Sequence, residues 1–171
     1  MSRLDAAEAR ALGRLQSRVG GPAATSAANL LSSAGEHAWI WLALSGAGVS
    51  ADRARRRGWA EVGAAALVAH AGAVVLKRIV RRERPHAPGV RVLDRTAGRL
   101  SFPSAHAAST TAAAVAATPL VGAAVTVPVA LAMAAARLLL GVHYPSDVSA
   151  GAVLGLVSAR AVGRAGGILE R

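Results

Sequence analysis

The chain contains no cysteine. That excludes a disulfide framework, a thiol nucleophile and thiolate metal ligands. Aromatic residues are almost as scarce, at 3%, with one Phe and one Tyr. A water-soluble domain of 171 residues ordinarily fills its core with more of them. Acidic residues are few as well, nine Asp and Glu against twenty Lys and Arg, so the net charge is +11. No His/Asp/Glu group has the spacing of a metal site, so no metal and no other cofactor is expected. No internal repeat and no separate soluble domain is visible.

What is present is apolar and small. Hydrophobic residues make up 53% of the chain and the mean hydropathy is +0.40. Ala, Gly, Val and Leu dominate, a composition that suits helices packed closely in lipid. The basic residues fall between the apolar runs, without aromatic interleaving or a nucleic-acid motif, so nucleic acid is not an expected partner. Basic segments flanking membrane spans, together with an anionic substrate, account for the charge.

The pattern predicts an all-α integral membrane bundle in a single domain, 1–171, with an interfacial region over 1–35 and the helical bundle over 36–171. Leu4 to Val19 reads as an amphipathic helix, with Leu4, Leu12, Leu15 and Val19 at helical spacing and Arg3, Arg10, Arg14 and Arg18 on polar faces. A basic helix of this kind lies along a membrane surface. Gly20-Gly21-Pro22 breaks it, and Ala23 to Gly35 fits a short helix, a re-entrant piece or a loop equally well. About five transmembrane helices follow. The first runs from near Glu36 to Ser50, the second from Trp59 to Val80, two more occupy Ser104 to Leu140 with a turn at Thr118–Gly122, and the last begins at Pro145. Pro128 is expected to kink the fourth. His70, inside the second span, reads as a buried histidine hydrogen-bonded to another helix. Gly151 and Gly155 offer a small-residue face for close helix contact.

Three stretches carry chemistry. Arg137-Leu-Leu-Leu-Gly-Val-His143-Tyr-Pro-Ser-Asp147 closes an uncharged run from Ala107 to Ala136. Pro145 fits the first turn of a new helix, which puts Asp147 near the positive end of that helix dipole. There it can hold one imidazole nitrogen of His143 and leave the other free. Phe102-Pro103-Ser104-Ala105-His106 opens the same apolar run, and Lys77 to Arg84-Pro85 closes an earlier one. Up-and-down connection of the spans brings all three stretches to one membrane face. Lys77, Arg84 and Arg137 are then candidates for fixed cations around an anion, with Ser104 and the N–H groups that follow it, from Ala105 on, at a helix start that favours anions. Arg78, Arg81 and Arg82 read as membrane-surface charges, and His86 as a loop residue.

In this order and spacing the three stretches resemble the type 2 phosphatidic acid phosphatase superfamily, over Lys77 to Asp147. The resemblance implies a membrane-embedded, metal-independent phosphatase acting on a lipid phosphate. It implies His143 as the nucleophile that forms a phosphohistidine, Asp147 as its partner, and His106 as the general acid. Lys77, Arg84, Ser104, Ala105 and Arg137 are implied to bind the substrate phosphate. The chain departs from the family pattern twice, with Ala105 in place of the usual Gly and Ala136 in place of the usual Ser. Implied substrates are polyprenyl phosphates or diphosphates, phosphatidic acid and phosphatidylglycerol phosphate. The small, Ala/Arg-rich chain also resembles the actinobacterial branch, which implies decaprenylphosphoryl-5-phosphoribose. Two alternatives share the motifs: a vanadium-dependent haloperoxidase, whose relatives are soluble, and a lipid-binding protein with a vestigial site.

Charge asymmetry bears on orientation. The face expected to carry the site holds ten basic residues besides Lys77, Arg84 and Arg137, and the opposite face seven, Arg53, Arg55, Arg56, Arg57, Arg160, Arg164 and Arg171. The excess of Arg on the site's face predicts a multi-pass protein of the cell membrane with its site at the cytoplasmic face.

Overall fold

A computed structural model describes residues 3–94 and 98–168 of the chain, so Arg95 and Arg171, both counted in the charge comparison, lie outside the described residues. Among these residues the chain is helical: α1 (Arg3–Val19), α2 (Pro22–Ala34), α3 (Trp39–Ala51), α4 (Arg56–Val80), α5 (Ala105–Val121), α6 (Ala123–Leu139) and α7 (Pro145–Ile168). Short 3₁₀ turns at Glu36–Ala38 and Arg53–Arg55 flank α3.

The interior is built from the smallest side chain. Ala65, Ala69 and Ala73 of α4, Ala105, Ala108 and Ala112 of α5 and Ala159 of α7 form the central cluster. With no bulk between them the helices approach closely. Gly151 and Gly155 realise the expected small-residue face. A Cβ on Gly151 would stand 3.1 Å from the Ala107 Cβ, and one on Gly155 2.9 Å from the Ala112 nitrogen. Many of the larger aliphatics point outward: Leu67, Val75 and Ile79 on α4, Val127 and Leu131 on α6, and Val153 and Val157 on α7 are all exposed. This distribution, small inside and large outside, suits a bundle solvated by lipid. Two segments, Arg53–Val80 and Pro145–Gly166, are long and apolar enough to cross a membrane, and α6 is a shorter apolar helix.

Of the readings left open for Ala23 to Gly35, the structure has the short helix, α2, with Pro22 in its first turn and Gly35 as its C-cap. The expected first span at Glu36 is instead a 13-residue helix beginning at Trp39, about 20 Å long and short of the ~30 Å a span requires. Between α2 and α3, His37 and Ala38 both adopt left-handed backbone, φ 51° and 62°, at a cost of about 1–2 kcal/mol each. α2 packs along α6 and α3 along α4, so the two short helices follow one another with this turn between them.

α1 covers the helix expected over Leu4 to Val19. Its buried face is Glu8, Ala9, Leu12 and Gln16, whereas Leu4 and Val19 are exposed. Ala9 and Leu12 pack on Tyr144 and on Ala87 and Val90 of the 81–104 connection. The Gln16 side-chain amide donates to Leu139 O at 2.9 Å and Arg91 O at 2.7 Å and accepts from Arg91 N at 2.9 Å. α1 is therefore strapped across the end of the bundle that carries the motifs. At the other end, α5 runs through Pro119 to Val121, and Gly122, at φ +86°, makes the turn alone. Pro128 sits inside α6.

Candidate active site

The up-and-down order brings the three stretches to one end of the bundle. Lys77 lies in the last turn of α4. Arg81 caps that helix in left-handed backbone, its N–H donating to Lys77 O, and the chain then turns back on itself through Arg84 N to Arg99 O at 3.2 Å and Ser101 N to Arg82 O at 2.8 Å. α5 begins at Ala105, α6 delivers Arg137 in its last turn, and α7 begins at Pro145.

Lys77, Arg84, Ala105, His106, Arg137 and His143 line a common cavity of about 270 Å³ with Glu36, His37, His70, Val74, Asp94 and Gly98. Lys77 Nζ donates to Leu100 O at 3.2 Å. Arg84 is locked by two backbone carbonyls, Gly98 O and, at 2.5 Å, Val142 O, and its Nη1 lies 3.5 Å from His143 Nε2. Burial, with the Arg137 charge beside it, lowers the Arg84 pKa to about 10, so it stays charged at neutral pH. His143 is 1% exposed. Burial first, then the Arg84, Arg137 and Lys77 charges, hold its pKa well below the usual imidazole value, which favours the neutral ring.

Asp147 is fully buried. Its Oδ2 accepts the Tyr144 N–H at 2.8 Å and lies 3.7 Å from His143 Nδ1, within ion-pair range and beyond a hydrogen bond. Ser104 is also fully buried. Its hydroxyl caps α5 by accepting the Ala107 N–H at 3.4 Å, and its N–H donates to Asp147 O at 3.0 Å. Ser104 and Asp147 thus stand behind the cavity wall, joining the starts of α5 and α7. Ala105 replaces the family's usual Gly without backbone strain, being helical with no positive φ. Ala136 packs with Ala28 of α2.

Three residues joining this site carried no signal in the sequence. Ser32, on α2, accepts from Arg137 Nη1 through its hydroxyl and from His106 Nε2 through its carbonyl at 3.0 Å. Asp94 faces Arg137 Nη1 at 3.1 Å and accepts the Ser32 hydroxyl at 3.1 Å. Arg82, expected to be a surface charge, is 18% exposed in its side chain and donates to Asp147 Oδ1 at 2.7 Å. It also donates to Asp5 at 2.6 Å and Glu8 at 2.8 Å, and stacks 4.0 Å over the Tyr144 ring. Burial alone would lower its pKa, but the bonds to Glu8 and Asp5 and the Asp147 charge raise it above its ordinary value. Arg78, Arg81 and His86 are exposed, as expected.

The site is a cage of three cations around two histidines, one facing a carboxylate, on a small-residue helical bundle, a set whose charge suits an anion. Residues 58–166 match the PAP2 superfamily, and the chain belongs to it. It is 52% identical over 133 residues to the decaprenylphosphoryl-5-phosphoribose phosphatase of Mycolicibacterium smegmatis, covering 78% of this chain and 74% of that protein. It is 47% identical over 154 residues to the protein of the same description from Mycobacterium tuberculosis, covering 88% and 85%. The crystal structure of Aquifex aeolicus LpxE superposes with a TM-score of 0.76 at 19% identity, over 90% of this chain and 93% of that one, a likeness of fold.

Proposed function

We propose that the chain is a multi-pass membrane phosphatase that removes the 5-phosphate of decaprenylphosphoryl-5-phosphoribose. The observation that carries this reading is identity near one half, over most of both chains, to the two mycobacterial phosphatases. The cavity supplies parts that suit the reaction. Lys77, Arg84 and Arg137 take the phosphate oxygens, Arg as a fork and Lys as a point charge. His143 Nε2, the nitrogen turned away from Asp147, attacks phosphorus in line. The ester P–O bond breaks as a P–N bond forms, giving a phosphohistidine. His106 gives a proton to the leaving sugar oxygen. A carbonyl can only accept, so His106 Nε2 carries the hydrogen shared with Ser32 O, and Nδ1 is the atom that exchanges the catalytic proton. Water, deprotonated by His106, then attacks the phosphohistidine, and the P–N bond breaks to release phosphate and free His143.

In the membrane, α2, the Glu36–Ala38 turn and α3 together make one broken pass, and α4 to α7 make four more. This keeps the five passes expected from the sequence, with the first one interrupted. The site faces the cytoplasm, where α1 sets exposed Arg3, Arg10, Arg14 and Arg18 against an anionic leaflet.

The test is phosphate release by purified protein from a panel of lipid phosphates. Decaprenylphosphoryl-5-phosphoribose should be the best substrate. Release from polyprenyl diphosphates or phosphatidic acid with none from the sugar phosphate would overturn the reading. Orientation is tested by single cysteines in this cysteine-free chain. One replacing Arg99 should resist a membrane-impermeant reagent in intact cells and one replacing Arg53 should react, the reverse pattern placing the site outside.

A further inference from the structure

The cavity holds more than the phosphate cage. Its volume of about 270 Å³ exceeds what one phosphate group fills, since roughly 10–15 Å³ of such space admits a water. It is also lined by Glu36, His37 and His70, none of which belongs to the three motif stretches. His70 stands two turns before Lys77 on α4, about 10 Å deeper into the bundle. The His37 and His70 rings meet there with centroids 6.0 Å apart, and Glu36 lies 3.8 Å from His37 Nδ1.

Three observations mark this part as a ligand site. The chain breaks here, between α2 and α3, at residues that line the cavity. The break is held in left-handed backbone at two successive residues that are not glycine, His37 and Ala38, strain of the kind that gathers at functional sites. The His70 Nδ1 atom is buried without a hydrogen-bond partner, although polar groups so buried are normally paired. The chemistry of the set selects the ligand. Glu36 accepts hydrogen bonds and repels a second phosphate, so this part disfavours the outer phosphate of a diphosphate. A sugar hydroxyl donates to a carboxylate and also pairs with imidazole in either tautomer.

We propose that Glu36, His37 and His70 form a hydroxyl-binding subsite that receives the ring hydroxyls of a pentose whose phosphate is held by Lys77, Arg84 and Arg137. This rests on the phosphatase reading above and adds the residues that choose the head group. The broken α2–α3 pass exists to bring Glu36 and His37 to the depth of His70, one sugar ring away from the reacting phosphorus.

The test compares two soluble phosphate esters with the purified full chain: ribose 5-phosphate, and tetrahydrofurfuryl phosphate, which keeps the ring and the ester but lacks the hydroxyls. The wild-type kcat/KM should favour ribose 5-phosphate by about ten-fold or more, because a site built to bond a hydroxyl discriminates against its absence. His70→Leu and Glu36→Gln should each bring the ratio towards one, through a raised KM for ribose 5-phosphate. His70→Asn, which keeps a polar atom near the position of Nδ1, should retain more of the preference than His70→Leu. A wild-type ratio near one, or a ratio unchanged in both variants, overturns the subsite. So does cleavage of lipid phosphates with neither ester turned over, since the head group is then not read here. No phosphate from any ester or lipid overturns the phosphatase reading together with the subsite.

Discussion

Arg82 Nη1 lies 2.7 Å from Asp147 Oδ1, so the carboxylate facing His143 is fixed by a residue sixty-five positions away that also grips α1 through Asp5 and Glu8. Glu8 in turn accepts the Ser146 N–H at 2.7 Å. α1, Arg82, Ser146 and Asp147 form one hydrogen-bonded unit.

Removing Arg82 should therefore act on catalysis through Asp147. Hydrogen bonds to charged groups contribute about 1.5–3 kcal/mol, so Arg82→Gln should lower kcat by about 10- to 100-fold with a smaller change in KM, and Arg82→Lys should recover part of the loss. Initial-rate kinetics on a soluble phosphate ester measure this. An unchanged kcat would leave Arg82 a tether for α1 alone.

Asp94 holds Arg137 where the substrate phosphate would bind. Asp94→Asn removes the competing charge and leaves an amide able to bond Ser32. Inorganic phosphate and vanadate should then inhibit at concentrations lower by about 3- to 10-fold, equal to about 0.7–1.4 kcal/mol. Weaker inhibition would mean that Asp94 presents Arg137 to the anion.

The α5–α7 contact sets the distance between His106 and Asp147. Gly155→Val would push a branched side chain into the Ala112 backbone and Thr111. Overpacking of this kind costs about 1–3 kcal/mol. The variant should melt earlier in detergent and lose activity, whereas Gly163→Val, with nothing within 4 Å of its Cβ, should do neither.

The acid limb of the first chemical step should lie below the ordinary imidazole pKa. Burial and three cations depress the His143 pKa, so as pH falls the neutral nucleophile persists through about 6.5 and is lost only at lower pH. Single-turnover phosphorylation by an ester with a good leaving group reads this limb, and a midpoint at or above 6.5 would contradict the assignment.

Much of this was legible in the sequence because it is local. Lys77, Arg84, His106, Arg137 and His143 sit at helix ends that apolar runs and Pro145 mark, and alternation of the runs puts those ends together. The start of α4 and the Gly122 turn fall within three residues of expectation. What was hidden is through-space or strained. The break at His37 and Ala38 has left-handed backbone at residues that do not advertise it. Ser32, Asp94 and Arg82 reach the site by contacts 43 to 105 residues apart in sequence. The protein-facing side of α1 was hidden too, because Glu8 and Gln16 are buried there for hydrogen bonds that apolar spacing does not show.

The central claim is that His143 carries the phosphoryl group without a metal. The most direct measurement is acid-quench trapping of the protein with ³²P-labelled substrate in excess chelator. We expect a label that is lost in acid, survives in base as phosphohistidine does, maps to His143 and is absent from His143→Ala. Full turnover with no trapped label in wild type, or turnover abolished by chelator and restored by Mg²⁺, would contradict the account.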